Sequence, residues 1–430
     1  MATVGKVEAH PAAAWGALAR RASAGVHNVY PSYGLYQASS SAVDVLTVVF
    51  GAKILQGTTS NLGLLDAASN FGFIFASFGF GYLTRRLAPS RPLLAASLAL
   101  CAIPVFLFAA TGTMGLAYVV ALLIGATTAV PNSALPWYLC QQVPRSRWGE
   151  VFGKLSAVGA LGGALGTVFA FGWLFARESW GLGGAEHGLF VTFGVATLLS
   201  ALGIWYAVGT IPKERGTNTA KLPRIEDSAT RRIVGSALDP SPASVFRDVW
   251  VVYTVLPAIL FLGIGMSYTA SVLYLLQGLG LSSGAVFAFV LLFRLASWST
   301  SNPTGHLVAK FTPLRLHQMA SVWRILSVLG IAMLALTPVG VWSLAAAAAL
   351  FALCGATHGA FGVTGPSTST DPVPERHQGM AIGLFNGVSV GAAGVGAWLA
   401  GVFGQEFGFA VVLAISAGIM AAALWLHQRY

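Results

Sequence analysis

Leu93-Leu-Ala-Ala-Ser-Leu-Ala-Leu-Cys-Ala-Ile-Pro-Val-Phe-Leu-Phe-Ala-Ala110 carries no charge and no alternation of polar with apolar side chains. Lipid offers backbone N–H and C=O groups no partners, so a run of about 20 such residues crosses a bilayer as a helix. A barrel strand would be shorter and would alternate with a period of two, which neither this segment nor Leu344 to Phe361 does. Comparable runs recur from Tyr33 to His427 with mostly short polar breaks, in a chain of 430 residues that is 56% apolar and 9% charged, with a mean hydropathy of +0.73. A soluble domain carries roughly a quarter charged residues. The sequence predicts an all-α polytopic membrane protein with twelve transmembrane helices. Their centres fall near Val43, Phe73, Leu100, Ala126, Leu161 and Thr197, then near Leu262, Leu295, Val328, Leu353, Val390 and Val412.

The net charge of +10 does not imply a nucleic-acid partner, because the bases sit between apolar runs and follow topology. Of the 24 Lys and Arg, all but Lys53, Arg177 and Arg294 fall in the termini, the central loop, the loops after the second and fourth helices, or the later counterparts of those loops. Lys310, Arg315 and Arg324 are assigned to the loop after the eighth helix. Both termini are therefore expected in the cytoplasm, in a cell (inner or plasma) membrane. The long polar stretch Pro212 to Arg247 divides the chain into a cytoplasmic segment 1–28, a six-helix bundle 29–211, a central loop 212–247 and a second six-helix bundle 248–430. The first 28 residues show no secretory signal, and Ala12 to Ala24 read as a short interfacial helix. Cys101, Cys140 and Cys354 lie in or beside apolar runs without CxxC spacing, which argues against disulfides and metal clusters.

The two halves repeat one another. Gly81-Tyr-Leu-Thr-Arg-Arg86-Leu-Ala-Pro89-Ser-Arg91 aligns without gaps on Gly305-His-Leu-Val-Ala-Lys310-Phe-Thr-Pro313-Leu-Arg315, and Val143-Pro144 with Gly149 and Gly153 has the spacing of Val373-Pro374 with Gly379 and Gly383. The offset is 224 residues in the first case and 230 in the second, as for a duplicated six-helix unit in parallel repeat. Over nearly the whole chain this architecture resembles the major facilitator superfamily. Gly81, Leu83, Arg86 and Arg91 fit that family's loop signature, while Arg85 stands where it has Asp and Ala88 where it has Gly; Ala121 stands where its fourth helix often has Arg. The resemblance implies two pseudo-symmetric six-helix bundles that bind a solute between them at the midplane and rock to expose it to either side, driven by an ion gradient. It also assigns conformational gating to Gly81, Arg85, Arg86, Arg91, Gly305 and Lys310, and cavity positions to Thr128, Asn132 and Trp137 of the fourth helix and Ser267, Ser271 and Tyr274 of the seventh.

Charges inside apolar runs are the sharpest functional signal, since an ionised carboxylate at a helix centre costs about 2.5–3.5 kcal/mol on insertion scales unless it meets water or a partner. Asp44 lies mid-helix with Gln37, Ser40, Ser41 and Thr47 on its face, a stripe that reads as cavity lining. It admits three roles: proton carrier, partner of a cationic substrate group, or static mate of Arg294. Arg294, with Ser297, Trp298 and Ser301 extending its face, carries a fixed fork of donors that matches carboxylate or phosphate. His358 is a second proton-relay candidate. Asp66 is assigned to the dipole of the second helix, with Lys53 as its partner, and Glu150 and Lys154 to a solvated mouth of the fifth helix. Glycines 153, 159, 162, 163 and 166, and again 383, 387, 391, 394 and 396, predict close helix packing.

The leading expectation is thus a secondary transporter of a small organic solute, anionic or amphipathic, coupled to protons or another ion, monomeric and without cofactor or metal. Substrate binding falls to Arg294, Gln37, Ser41, Asn132, Trp137, Ser271, Tyr274 and Trp298. Competing readings are a proton-driven drug or metabolite efflux antiporter, and a non-transporting assembly factor or receptor of the same fold. A GxxxxGK[ST] loop and an HExxH motif are both missing, and carboxylates are few, so a nucleotide motor or enzyme is not expected.

Overall fold

The computed structural model describes residues 28–83, 91–142, 148–180, 185–210, 255–308, 310–338, 340–370 and 378–429. The proposed interfacial helix at 12–24, the gating residues Arg85 and Arg86, and the central loop lie outside the described residues. Among the described residues there are twelve α-helices and no strand: α1 (Val29–Lys53), α2 (Thr59–Leu83), α3 (Arg91–Ala109), α4 (Met114–Gln141), α5 (Trp148–Ser179), α6 (Ala185–Thr210), α7 (Leu256–Leu273), α8 (Ser283–Leu307), α9 (Pro313–Leu334), α10 (Val341–Thr370), α11 (Gln378–Phe407) and α12 (Phe409–Arg429). A five-residue π turn, Tyr274–Gly278, extends α7. Eleven helices are long and apolar enough to cross a membrane. The twelfth, α1, has the length at 25 residues, but Gln37, Ser39, Ser40, Ser41 and Asp44 lower its hydropathy.

Helix ends follow local chemistry. Ser282 and Thr312 cap α8 and α9 by accepting from the backbone N–H of Ala285 and Arg315, and Pro313 opens α9 where its missing N–H costs nothing. Only Gly408, at φ +79°, separates α11 from α12, a left-handed turn that glycine adopts without a Cβ penalty. The polar pair Gln405 and Glu406 closes α11 just before that turn, and α12, running from Phe409 to Arg429, is centred beyond the expected Val412. A second correction concerns Arg324, placed by sequence in a loop: it lies midway along α9 and is 2% exposed.

Glycine sets the helix pairing. A Cβ on Gly125 of α4 would collide with the Ser69 carbonyl of α2, and one on Gly355 of α10 with the Phe293 carbonyl of α8. These are equivalent pairs, displaced by the 224 and 230 residues that relate the two sequence repeats. Gly166 against Ala38 (α5 on α1) and Gly396 against Leu262 (α11 on α7) repeat with the same two offsets. Backbones approach this closely only where side chains are small. Between the first six and last six helices, α2 runs antiparallel to α11 through Ser77 with Gly387, Asn70 with Gly394 and Gly63 with Gly401, and α5 meets α8 through Gly149 and Gly153 with Gly305. Ser156 Oγ and Ser301 Oγ, 3.0 Å apart, share a hydrogen bond along that second seam. The outer surface is apolar, with Phe75, Leu165, Leu202 and Met333 all more than half exposed; soluble monomers rarely carry such continuous apolar surface. Trp180 and Trp342 lie exposed at helix ends, where aromatic rings favour the bilayer interface.

Candidate functional site

α1, α2, α7 and α8 enclose a cavity of about 60 Å³ between the two sets of helices. Asp44 and Asp66 line it from one side and Tyr268 and Thr269 from the other, and the remaining wall is aliphatic. A smaller space of about 30 Å³, also bordered by Asp44 and Asp66, continues toward Ala121 of α4. At about 15 Å³ per water, the main cavity has room for roughly four waters. An organic solute therefore enters only if the helices part.

Asp44 is exposed although it lies well inside α1, because it faces this space. It makes no hydrogen bond and no ion pair with any described residue. Asp66 is half-buried: its Oδ2 accepts from Thr269 Oγ1 at 2.9 Å and its Oδ1 from Asn70 Nδ2 at 3.3 Å. The first of these bonds joins α2 to α7 across the two sets of helices. The dipole assignment for Asp66 is corrected here, since the residue sits beyond the first turn of α2, where dipole effects fade. No ion pair links it to Lys53 among the described residues.

Arg294 lies midway along α8. Its Cδ is 3.5 Å from where a Cβ on Gly163 would stand, an ordinary contact, whereas Ser41 Oγ is 2.7 Å from the same point, so the missing side chain on α5 makes room for Ser41 beside the arginine. Its Nε is buried without a partner, and no described residue accepts a hydrogen bond from the guanidinium. Asp44 is not within ion-pair distance, yet the two charges are near enough to interact across the cavity. His358 on α10 is exposed to interior space. Its ring lies 5.3 Å from that of Phe293, within electrostatic reach of Arg294 and Arg324.

Other predicted positions divide. Gln37 Nε2 donates to Tyr33 Oη at 2.6 Å and to Asn132 Oδ1 at 3.3 Å, joining α1 to α4. Trp137 is 7% exposed with its Nε1 unpartnered, and Trp298 stands exposed one turn beyond Arg294. Ser271 is buried and does not line the cavity; Tyr274 donates to the Leu334 carbonyl at 3.4 Å and packs beside Phe409, inside the last six helices. The cavity face of α7 is instead Tyr268, Thr269, Val272 and Leu276. Ser267 shows why the hydroxyl stripe misleads, since its Oγ satisfies itself on the Ile264 carbonyl at 2.8 Å.

Of the expected gating residues, Gly81 lies in the last turn of α2, Gly305 is sealed against Gly149 and Gly153, and Lys310 is exposed beyond α8. Arg91 lies over the Trp205 ring at 4.1 Å, within its own half. Lys154 pairs with Glu150 at 2.7 Å one turn earlier on α5. Arg324 was not singled out by sequence, and its mid-helix position between Trp323 and Ile325 was the available signal.

Comparisons with known proteins bear on the fold. No curated protein sequence matches. The solved structures share the fold at low identity. The proton:xylose symporter XylE superposes with a TM-score of 0.66 at 16% identity, covering 95% of this chain and 96% of its own. The nucleoside transporter NupG gives 0.65 at 11%, covering 94% and 99%, and the human organic anion transporter MFSD10 gives 0.67 at 15%, covering 95% and 99%. A family model described as Major Facilitator Superfamily matches residues 29–386, most of the sequence and eleven of its twelve helices in whole or part, so the chain belongs to the major facilitator superfamily.

Proposed function

We propose that the chain is a proton-coupled secondary active transporter of a small organic anion, with Arg294 as the clamp on the anionic group and Asp44 as the proton site. The observation that carries this reading is one pair of charges, an aspartate from the first half that lines the cavity and an arginine from the second one turn beyond the cavity-lining Val290, with no ion pair between them or to any other described residue. A static ion pair would hold the two in contact. Leaving both charges without a partner at mid-membrane is costly unless each has a transported one. Tyr33, Gln37, Asn132 and Ser41 add hydrogen-bonding groups near the terminal side of that space, and His358 stays a second proton-relay candidate. The distribution of Lys and Arg supports cytoplasmic termini in a cell membrane, and a monomer suffices because the proposed site lies within one chain.

A second reading, efflux of lipophilic solutes in exchange for protons, is favoured by the aliphatic lining contributed by Val45, Val48, Val272 and Val290. Flux in proteoliposomes under an imposed pH gradient, with thermal shift on a panel of anions and lipophilic cations, separates the readings. Anion binding that is lost in Arg294→Ala and in Arg294→Lys supports the first, because lysine keeps the charge but not the fork. Unchanged anion affinity in both variants removes Arg294 from the site. An absence of flux for every solute would point to a receptor or assembly role.

A further inference from the structure

The last six helices hold two arginines at mid-depth, Arg294 on α8 and Arg324 on α9, with no acid to match them. Beyond residue 255 the acids are Asp371, Glu375 and Glu406, all at or between helix ends. Arg324 is among the most completely buried large side chains in the protein. Its Nη1 donates to the Cys354 carbonyl at 2.7 Å, an oxygen that also accepts Thr357 Oγ1 at 2.9 Å, and its Nε has no partner. Arg294 Nε is unpartnered too. One shared carbonyl is a poor counterweight for a cation held away from water.

Phe293 links the two arginines, next to one in the chain and beneath the other in space. Phe293 precedes Arg294, the Arg324 Cζ stands 6.0 Å from its centroid, and the rings of Tyr268 and His358 lie 5.7 and 5.3 Å from it. Tyr268 lines the cavity, and both Tyr268 and His358 lie within electrostatic reach of the two arginines. On the anion reading Arg294, one turn beyond the cavity-lining Val290, is the direct contact, while Arg324 acts from behind Phe293 through its field, which a low-dielectric interior screens weakly.

Resting on the anion reading above, we propose that Arg324 is a positioning residue that doubles the positive charge at this site, so that the site selects a small oxyanion bearing two negative charges, such as a dicarboxylate or a phosphate, over a singly charged one of the same shape. Asp44 and Asp66 on the facing helices keep the empty cavity electrically balanced against the two guanidinium groups.

The test uses the purified full chain and near-isosteric pairs: succinate with succinamate, glutarate with glutaramate, and inorganic phosphate as the non-carboxylate arm. Binding is read by thermal shift and by competition against the best-bound member. The wild type should prefer the dianion of a pair at least ten-fold. Arg324→Gln, which keeps a donor for the Cys354 carbonyl, should lose that preference while still binding the monoanion, and Arg324→Lys should restore it; a merely structural role would weaken both members alike. Equal affinity for dianion and monoanion in the wild type, or a preference unchanged in Arg324→Gln, overturns the proposal. If Arg324→Gln does not fold, the wild-type ratio and Arg324→Lys decide. Failure of every anion to bind overturns the anion reading itself, and phosphate binding without dicarboxylate binding identifies the headgroup.

Discussion

Thr269→Val removes one hydroxyl and keeps the shape of the side chain, so it isolates the hydrogen bond that Thr269 Oγ1 gives to Asp66 Oδ2 across the two sets of helices. A hydrogen bond to a charged group contributes about 1.5–3 kcal/mol net. Asp66 is half-buried and keeps Asn70 as a second donor, which puts the bond at the low end, about 1.5 kcal/mol, or roughly a twelve-fold shift in a two-state equilibrium. Opening the cavity on the face opposite the termini must break this bond, whereas opening the terminal face need not. The variant should therefore raise the population open to that opposite face about ten-fold. Val48 lines the cavity, and a Val48→Cys background reports its accessibility to a membrane-impermeant maleimide applied from that face; Cys101 and Cys354 are buried, so labelling is read as the increment over the parent. Thr269→Ser should label at the parental rate. A Thr269→Val rate within two-fold of the parent, at unchanged thermal stability, would refute the latch.

Asp44→Asn should abolish accumulation driven by a pH gradient in proteoliposomes and preserve solute exchange; concentrative uptake at the wild-type level would exclude Asp44 as the proton site. Gly125→Ala and Gly355→Ala should each lower the melting midpoint by the equivalent of about 1–3 kcal/mol, because their new Cβ atoms meet a backbone carbonyl that cannot swing away. Gly79→Ala, with open space around it, should leave the midpoint unchanged or raise it by about 0.5–1 kcal/mol. Gly408→Ala should cost about 1–2 kcal/mol through its left-handed backbone, seen as a lower midpoint with transport retained.

The fold was legible because lipid leaves few options: apolar runs must be helices, and the duplicated loops gave the two offsets that reappear in the Gly125 and Gly355 seats. The candidate site could be proposed from sequence where a residue type is costly in a membrane, as at Asp44 and Arg294. It was misread where the residue is cheap. A serine on a helix satisfies its hydroxyl on the preceding turn, so Ser267 and Ser271 marked the wrong face of α7 and the neighbouring Tyr268 and Thr269 passed unnoticed. Asp66 was excused by a dipole that does not reach it, and Arg324 by a topology rule that counts bases without testing their depth. Both errors treated a charge near an apolar boundary as harmless when its position in the helix made it expensive.

The glycine contacts also indicate which parts of the molecule can move. Inside each set of six helices, Gly72, Gly125, Gly162 and Gly166, and then Gly265, Gly355 and Gly396, are seated so closely that an added Cβ would overlap a carbonyl outright. Between the sets the same construction leaves more room: the nearest backbone atom would be 2.9 Å away at Gly63, 3.1 Å at Gly149 and 2.7 Å at Gly305. Interlocked backbones resist sliding because any shift drives a carbonyl into its neighbour. The tightest seats between the sets hold side chains instead, Ile74 against Gly391 and Asn70 against Gly394, which can shift where a backbone carbonyl cannot, and the polar bonds that cross the seams, Ser156 with Ser301 and Thr269 with Asp66, are exchangeable with water. Motion is therefore directed to the interface between two stiff units, where Asp44 and Arg294 sit on opposite sides and feel every change in its width.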